Sequence, residues 1–316
     1  MEFIRSLHNL RAKYRGCIAT IGNFDGIHLG HQAIIQQLNL AAKSRNLPTV
    51  VVIFEPQPQE FFMPANAPAR LMRLREKITY LNQYNIDRMV CLRFDKNLAD
   101  LSPEDFVKGI LINSLGVQYL AVGDDFRFGK DRRGDFSILQ LLGDQHGFEV
   151  ECTVTCKING CRVSSTWIRE VLAAGDMELA RRLLGRHYSI TGRIVHGDKR
   201  GRELGYPTLN IDMHRLHSPV SGIFATKVYG LDNHSIDAVT SIGTRPMFDG
   251  KQMILEAHLL DFNSDVYGRY VRVELLKQLR KEQTFATIDE LKIQIENDIG
   301  QARQFFEENS KSKIIN

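Results

Sequence analysis

One stretch limits the architecture more than any other. A five-residue apolar run, Cys17-Ile18-Ala19-Thr20-Ile21, feeds into Gly22-Asn23-Phe24-Asp25-Gly26-Ile27-His28-Leu29-Gly30-His31, and a helix-like run from Gln32 to Lys43 follows. A buried strand, a glycine-rich turn and a helix in that order form a phosphate-binding arrangement, because the helix start offers unpaired N–H groups and the positive end of its dipole. Gly22, Gly26 and Gly30 remove side chains where the backbone must turn or approach a ligand. His28 and His31 are three apart, so they share a face if the helix has already begun. Two imidazoles there can hydrogen-bond phosphate oxygens. The turn is neither a Rossmann nor a Walker loop, since both G-x-G-x-x-G and G-x-x-x-x-G-K-[ST] are absent.

The elements that follow alternate. Thr49 to Phe54 is a continuous apolar, β-branched run of the kind found in parallel strands covered on both faces. A helix is expected over Glu76 to Tyr84 and a strand over Met89 to Phe94. A helix should start at Ser102-Pro103, with Ser102 as N-cap and Pro103 in the first helical position, and end near Gly116. Tyr119 to Val122 is the next strand. Alternation of this kind predicts a doubly wound parallel sheet, whose ligands bind beyond the carboxyl ends of the strands.

Three further segments carry chemistry. Phe54-Glu55-Pro56-Gln57-Pro58-Gln59-Glu60-Phe61-Phe62 is a proline-stiffened loop with aromatics able to pack on a ring system. Gly123-Asp124-Asp125-Phe126-Arg127-Phe128-Gly129 follows a strand, and the basic residues after it, Arg132 and Arg133 among them, read as a solvated loop. Ser164-Ser165-Thr166-Trp167-Ile168-Arg169 puts hydroxyls at a helix start with an arginine one turn later, a set suited to a triphosphate.

The pattern G-x-F-D-G-x-H-x-G-H resembles the signature of the nucleotidyltransferase superfamily. With its flanks, this half resembles the amino half of the bacterial bifunctional riboflavin kinase/FMN adenylyltransferase (FAD synthetase) family. The loop at 54–62 resembles that family's F-x-P-H-P-x-E-F-F, except that Gln57 stands where histidine is usual. The loop at 123–129 resembles G-x-[DN]-F-x-F-G, and residues 164–169 resemble the superfamily's I-S-S-T-x-I-R. The resemblance implies catalytic roles for His28, His31 and Arg169. It implies ATP or phosphate contacts at Gly22, Phe24, Gly30, Ser164, Ser165 and Thr166, and flavin contacts at Phe54, Pro56, Phe62, Asp125, Phe126 and Phe128. The nucleophile would be the FMN phosphate, already an anion, so no general base is required and catalysis reduces to positioning and charge neutralisation.

Glu170 to Leu184 predicts two short helices broken at Gly175-Asp176, with Gly185 ending the second. From Tyr188 the composition changes to short β-rich runs without helical pattern until about Thr287, which predicts an antiparallel barrel. The expected division is therefore residues 1–186 and 187–316. The second half resembles riboflavin kinase across nearly its whole length, through Ile190 to Asn210, Gly243 to Phe248 and Glu256-Ala257-His258-Leu259-Leu260-Asp261-Phe262. Met247 departs from the family's usual threonine. The glycines Gly197, Gly201 and Gly205 can present amides to phosphates. Thr208 and Asn210, two apart on a strand, offer oxygens suited to Mg²⁺ and its nucleotide. Riboflavin's hydroxyl is a poor nucleophile, and Glu256 is the candidate base. Arg280, in Arg280-x-Glu282-x-x-Phe285, resembles the flavin-side loop. A last helix with apolar residues at 288, 291, 295, 299, 302 and 306 should pack on the barrel and fray after Glu308.

Composition agrees with this picture. The chain has 316 residues, 43% hydrophobic and 25% charged, enough for two domains with cores. A net charge of +4 with dispersed basic residues suits small anionic substrates and gives no case for nucleic acid. No apolar run reaches membrane-spanning length, and the N-terminus lacks a signal-peptide core. Five cysteines without metal-ligand spacing read as reduced thiols of a cytoplasmic protein. Nothing in the sequence specifies an oligomeric state. The expected activity is ATP-dependent conversion of riboflavin to FMN and of FMN to FAD. The alternatives are another nucleotidyltransferase with an accessory barrel, or a flavin-binding sensor or carrier with decayed sites.

Overall fold

The computed structural model of the chain describes residues 1–197, 201, 204–215, 217–247, 250–262 and 264–314, without the side chains of 245–247, 250–252 and 311–314. By packing, the chain divides into two compact units: Met1–Pro68 with Met72–Ser165, and Ala69–Leu71 with Thr166–Asn316.

The first unit is built on strands β1 (Glu2–Arg5), β2 (Cys17–Ile21), β3 (Thr49–Glu55), β4 (Arg88–Arg93), β5 (Val117–Gly123) and β6 (Glu149–Thr153), all parallel and in the order β1-β4-β3-β2-β5-β6. β2 is buried at every position, as its uninterrupted apolar sequence requires. On one sheet face lie helices α1 (Leu29–Arg45) and α3 (Leu74–Asn82), joined in a core with Ile18, Val51, Met89 and Tyr119. The other face is covered by the helical run Pro103–Leu115 and by α6 (Phe136–His146). The short helices α2 (Pro58–Phe62) and α4 (Lys96–Ala99) follow β3 and β4. The expected Ser102 start holds, since its hydroxyl accepts from Asp105 N–H and opens α5 (Pro103–Phe106). The rest of that helix, Val107–Leu115, has π-helical pairing, and the left-handed Gly116 ends it. The Ser114 hydroxyl donates to the Gly109 carbonyl five residues back, in keeping with the wider turn.

The second unit contains β9 (Tyr188–Val195), β10 (Leu209–Asp212), β11 (Gly222–Tyr229), β12 (Ile236–Met247), β13 (Gly250–Leu259) and β14 (Tyr270–Arg280), closed into an antiparallel barrel in the order β10-β13-β12-β11-β14-β9. A two-stranded ribbon of the first unit, β7 (Lys157–Ile158) and β8 (Cys161–Arg162), precedes helix α7 (Ser165–Ala174). The barrel interior is filled by Ile190, Ile211, Phe224, Ile242, Leu255, Ala257 and Val273, all buried. The last helix, α9 (Ile288–Ile314), packs through Ala302 and Phe306 against Ala225 and Leu260. It does not fray after Glu308 but stays helical to Ile314, and Ile288, expected in the apolar stripe, is largely exposed.

α7 and α8 (Met177–Leu184) break at Gly175-Asp176 as expected, with Asp176 capping α8 through Leu179 N–H. Most of this pair packs with the second unit. Gly175 has φ +82°, and a β-carbon there would lie 1.8 Å from Gln278 Oε1 on β14. α8 buries Met177, Ala180, Leu183 and Leu184 and packs on β9 and β14. Composition placed these helices before the domain junction because an amphipathic stripe reveals a buried face, not the surface that covers it.

Candidate active sites

In the first unit, β2, β3 and β5 are adjacent and parallel, so their carboxyl ends lie on one sheet edge. The chain runs outward from β2 through β3 to β4, then returns to β5 on the other side of β2. That reversal is a topological switch point, the usual ligand crevice of such sheets. The signature turn, the proline loop and the Asp125 loop leave from these three ends.

The signature turn is tightly determined. Phe24 (φ 47°) and Ile27 (φ 42°) adopt left-handed backbone, costly for bulky side chains and severe for a β-branched one. Both side chains are buried in the core. The buried Asp25 carboxylate accepts from Met72 N–H at 3.0 Å, and Lys77, fully buried, donates to the Asn23 carbonyl at 2.7 Å. The Ser165 hydroxyl donates to the Asp25 carbonyl at 2.8 Å, so the second signature is tied directly to the first. His28 is the N-cap of α1. Its Nδ1 accepts from His31 N–H at 3.4 Å, and the two rings stack with centroids 3.8 Å apart. The accepting Nδ1 leaves the proton of a neutral His28 on Nε2. A side chain at Gly30 would press within 3.1 Å of the His28 ring, and one at Gly22 within 3.3 Å of the Phe24 ring. Ser164 immediately precedes α7, and Thr166 is exposed in its first turn. Arg169 belongs by packing to the second unit, where its Nε donates to the Ala69 carbonyl at 2.6 Å.

The proline loop has a cis Glu55–Pro56 bond, and Gln57 opens α2 with its N–H bound to Glu60. The Gln57 side chain is 5% exposed, and its amide nitrogen has no hydrogen-bond partner among the described residues. Phe54, Phe61 and Phe62 surround Phe94, with centroids 5.5–5.7 Å from it. Phe62 is 62% exposed, so the cluster keeps an open aromatic surface. The sequence reading did not single out Phe94; it ends a strand run without a motif of its own. Phe126 stacks on Phe128, which is buried against Phe106, so Phe128 supports the loop from the core. Arg162 bridges Asp124 and Asp125 at 2.6 Å each, and the Thr155 hydroxyl together with Arg162 holds Asp124 below the usual carboxylate range. Arg132 and Arg133 are exposed, as expected of a solvated loop. The five cysteines are free thiols, and burial pushes Cys17 up to about 12.

In the second unit the pairing register aligns three residues expected at the kinase site, Asn210, Glu256 and Arg280. Asn210 pairs with Glu256, Glu256 with Ser241, Ser241 with Ile223, and Ile223 with Arg280. Directly opposed residues of antiparallel strands point to one face. All five are half-buried while their strand neighbours Ile211, Leu255, Ile242 and Phe224 point inward, so the row lies on the outer wall of the barrel. A cavity of about 540 Å³ opens on that wall between Ile223, Ser241, Arg280, the 282–287 loop and the start of α9. Its size suits a three-ring ligand. At the other end of the row, a β-carbon at Gly197 would overlap the Asn210 amide, and one at Gly201 would meet Tyr206 O and Thr208 Oγ1. The glycines therefore bring backbone onto Thr208 and Asn210. His258 accompanies Glu256 on the outer face and bonds Pro207 O at 2.9 Å. Gly205 has φ +95°. Asp198, Lys199, Arg200, Arg202, Glu203 and Phe248 of the motifs, and the Met247 side chain, lie outside the described residues.

Residues 10–167 match the family model for FAD synthetase, and residues 184–306 match that for riboflavin kinase. The bifunctional riboflavin kinase/FMN adenylyltransferase of Escherichia coli K12 is 48% identical, covering 97% of this chain and 98% of that protein. The enzymes of the same name from Pseudomonas fluorescens (49%; 96% and 97%) and Haemophilus influenzae (45%; 97% and 99%) are similar to the same extent. The chain belongs to this family. It therefore phosphorylates riboflavin to FMN with ATP and adenylylates FMN to FAD. The match of each half to its own model sets aside a nucleotidyltransferase with a merely accessory barrel. A crystal structure from Streptococcus pneumoniae, described as a macrolide-efflux protein, has the same fold throughout (TM-score 0.82, 28% identity, 96% and 99% coverage). Among the described residues of this chain, no helix is long and apolar enough to cross a membrane.

Gln57 is where this family member departs from the usual histidine. Because an anionic nucleophile needs no base, Gln57→His should change FAD formation less than tenfold. A hundredfold gain, or a new step in the pH–rate profile near neutrality, would show that the loop contributes a titrating group.

Proposed function

We propose the following division of labour among the residues of this bifunctional enzyme. At the kinase site Glu256 accepts the proton of riboflavin's 5′-hydroxyl as the oxygen attacks the γ-phosphorus of ATP and ADP leaves. The observation that carries this is the transverse row, which aligns Asn210, Glu256 and the cavity edge at Ser241, Ile223 and Arg280. The backbone around Gly197, Gly201 and Gly205 cradles the nucleotide phosphates. The 540 Å³ cavity takes the flavin, with Arg280 as part of its wall.

Thr208 and Asn210 fit a Mg²⁺ that arrives with its nucleotide. They offer one hydroxyl and one amide oxygen beside backbone that a β-carbon would displace. Among the described residues no cluster of three His, Cys, Asp or Glu side chains could hold a metal alone. Mg²⁺ characteristically takes few protein ligands and completes its shell with phosphate oxygens and water. When bound, it neutralises phosphate charge.

At the adenylyltransferase site the FMN phosphate attacks the α-phosphorus of ATP and pyrophosphate leaves. His28, His31, the amides opening α1, and the Ser164–Thr166 hydroxyls bind phosphate oxygens, with Arg169 assigned the triphosphate. Phe54, Pro56 and Phe62 around Phe94, together with Asp125 and Phe126, form the flavin-side surface, while Phe24 and Phe128 hold these loops from beneath. The free thiols and small net charge suit a cytoplasmic enzyme of small anionic substrates, without nucleic-acid or membrane partners.

The functional boundary at residue 186 is tested with two fragments. Both one starting at Thr166 and one starting at 187 should make FMN and no FAD, while the full chain makes both. The shorter fragment loses α8, which buries Met177, Leu183 and Leu184. At roughly 1.5–3 kcal/mol per large apolar side chain, it should be less stable by several kcal/mol, visible as a lower melting temperature. A folded fragment from Thr166 that makes no FMN would overturn the division.

A further inference from the structure

Arg280 does not project freely into the kinase cavity. Its guanidinium is gripped by Asp298 on α9, with Nε 2.9 and 3.1 Å from the two carboxylate oxygens and Nη2 2.9 Å from Oδ2. Asp298 is 3% exposed and also accepts from Gln294 Nε2 at 2.9 Å. The remaining terminal nitrogen of Arg280 donates to the Lys281 carbonyl at 3.1 Å, and the guanidinium carbon stands 5.6 Å from the Phe285 ring centroid. One buried carboxylate thus fixes the arginine, the first carbonyl of the 281–287 loop and an aromatic of that loop. Arg280 ends barrel strand β14, and Phe285 belongs to the loop that continues the cavity wall beyond that strand.

A carboxylate taken out of water costs several kcal/mol unless its partners are well placed, and a hydrophobic pair of the same volume would serve stability as well or better. Stability alone therefore gives little reason for an ion pair here. The fork geometry is directional and specifies the angle at which the arginine, and the loop behind it, meets the cavity. We propose that Asp298 is a positioning residue for the flavin side of the kinase site. It acts through Arg280 to hold the 281–287 loop against the bound isoalloxazine ring, and it has no part in holding ATP, which sits at the Gly197–Asn210 end of the row. The proposal rests on the cavity being the riboflavin site.

The test is Asp298→Asn in the full-length enzyme, which keeps the shape and one acceptor oxygen but abolishes the charged two-oxygen grip. The KM for riboflavin should rise at least tenfold, with the KM for ATP within twofold of wild type. FAD formation from supplied FMN, read in the same preparation, should be unchanged. Where Asp298→Asn does not fold, by melting temperature and circular dichroism, Arg280→Lys keeps a cation opposite Asp298 without the fork and should raise the same KM severalfold. An unchanged riboflavin KM in a folded variant, or an equal rise in both KM values, would overturn the proposal. Failure of the underlying reading looks different: folded variants with a bulky substitution at Ile223 or Ser241 that phosphorylate riboflavin as the wild type does would show that the flavin binds elsewhere.

Discussion

Glu256→Gln should lower riboflavin phosphorylation at least a hundredfold and leave FAD synthesis from supplied FMN intact. The substitution preserves size and one hydrogen-bond acceptor but removes the group that takes the proton. Positioned acid–base groups typically contribute 10²–10⁴-fold. The register supports this residue over its neighbours. Glu256 stands between Asn210 and Ser241 on the outer wall, whereas Leu255 and Ala257 point into the barrel. His258, on the same outer face, is engaged with the Pro207 carbonyl. Substrate affinities should change little, since the surfaces proposed for the nucleotide and the flavin lie on either side. Single-turnover measurements are required first, because slow product release would mask a slower chemical step. A variant that keeps more than a tenth of the single-turnover rate would remove Glu256 from the role of base.

His28→Ala and His31→Ala should each cost about 2–4 kcal/mol of transition-state stabilisation in FAD formation, by analogy with lost oxyanion donors. That is roughly thirty- to a thousandfold in rate, with FMN formation unaffected. His28 has a second task, since its Nδ1 caps α1. Loss of a cap costs on the order of 1 kcal/mol of stability, so the alanine variant mixes two effects. His28→Asn separates them: asparagine is a good cap but lacks an imidazole Nε2 donor. It should restore the melting temperature and leave FAD formation low. If His28→Asn recovers full adenylyltransferase activity, the ring serves the helix and not the phosphates. Equal loss of both activities in folded protein would remove the site altogether.

Much of the fold was legible because it is written in local chemistry. Ser102, Pro103 and Gly116 mark the helix they bound, and Asp176 and Gly185 mark another, since each uses a backbone conformation or a cap that its residue type favours. The sheet order was not legible, but the motifs at three strand ends already implied that those ends converge. What stayed hidden depends on tertiary contact. The π-helical pairing of Val107–Leu115 leaves no apolar period distinct from an α-helix at nine residues. The left-handed Phe24 and Ile27 run against local propensity and are held by core packing. Asp298 looks like any acid on an amphipathic helix until Arg280 is found opposite, and Lys77 gives no hint of its burial under the signature turn. In each case a remote partner overrides what the residue itself prefers.

Under the assignment of Glu256 proposed above, the filled interior of the barrel makes strand alignment a catalytic coordinate. Because inward side chains fill the barrel, the residues proposed for the kinase reaction lie sideways across the strands, in one line of five positions joined by four strand pairings. A slip of two residues along β13 would keep every inward side chain inward and could preserve a closed, stable barrel. It would nonetheless carry Glu256 about 7 Å out of line with Asn210 and Ser241, at ~3.4 Å per residue. An even slip of register along β13 is therefore expected to leave a folded barrel without kinase activity, whereas an odd slip would turn the core face outward and cost the fold itself.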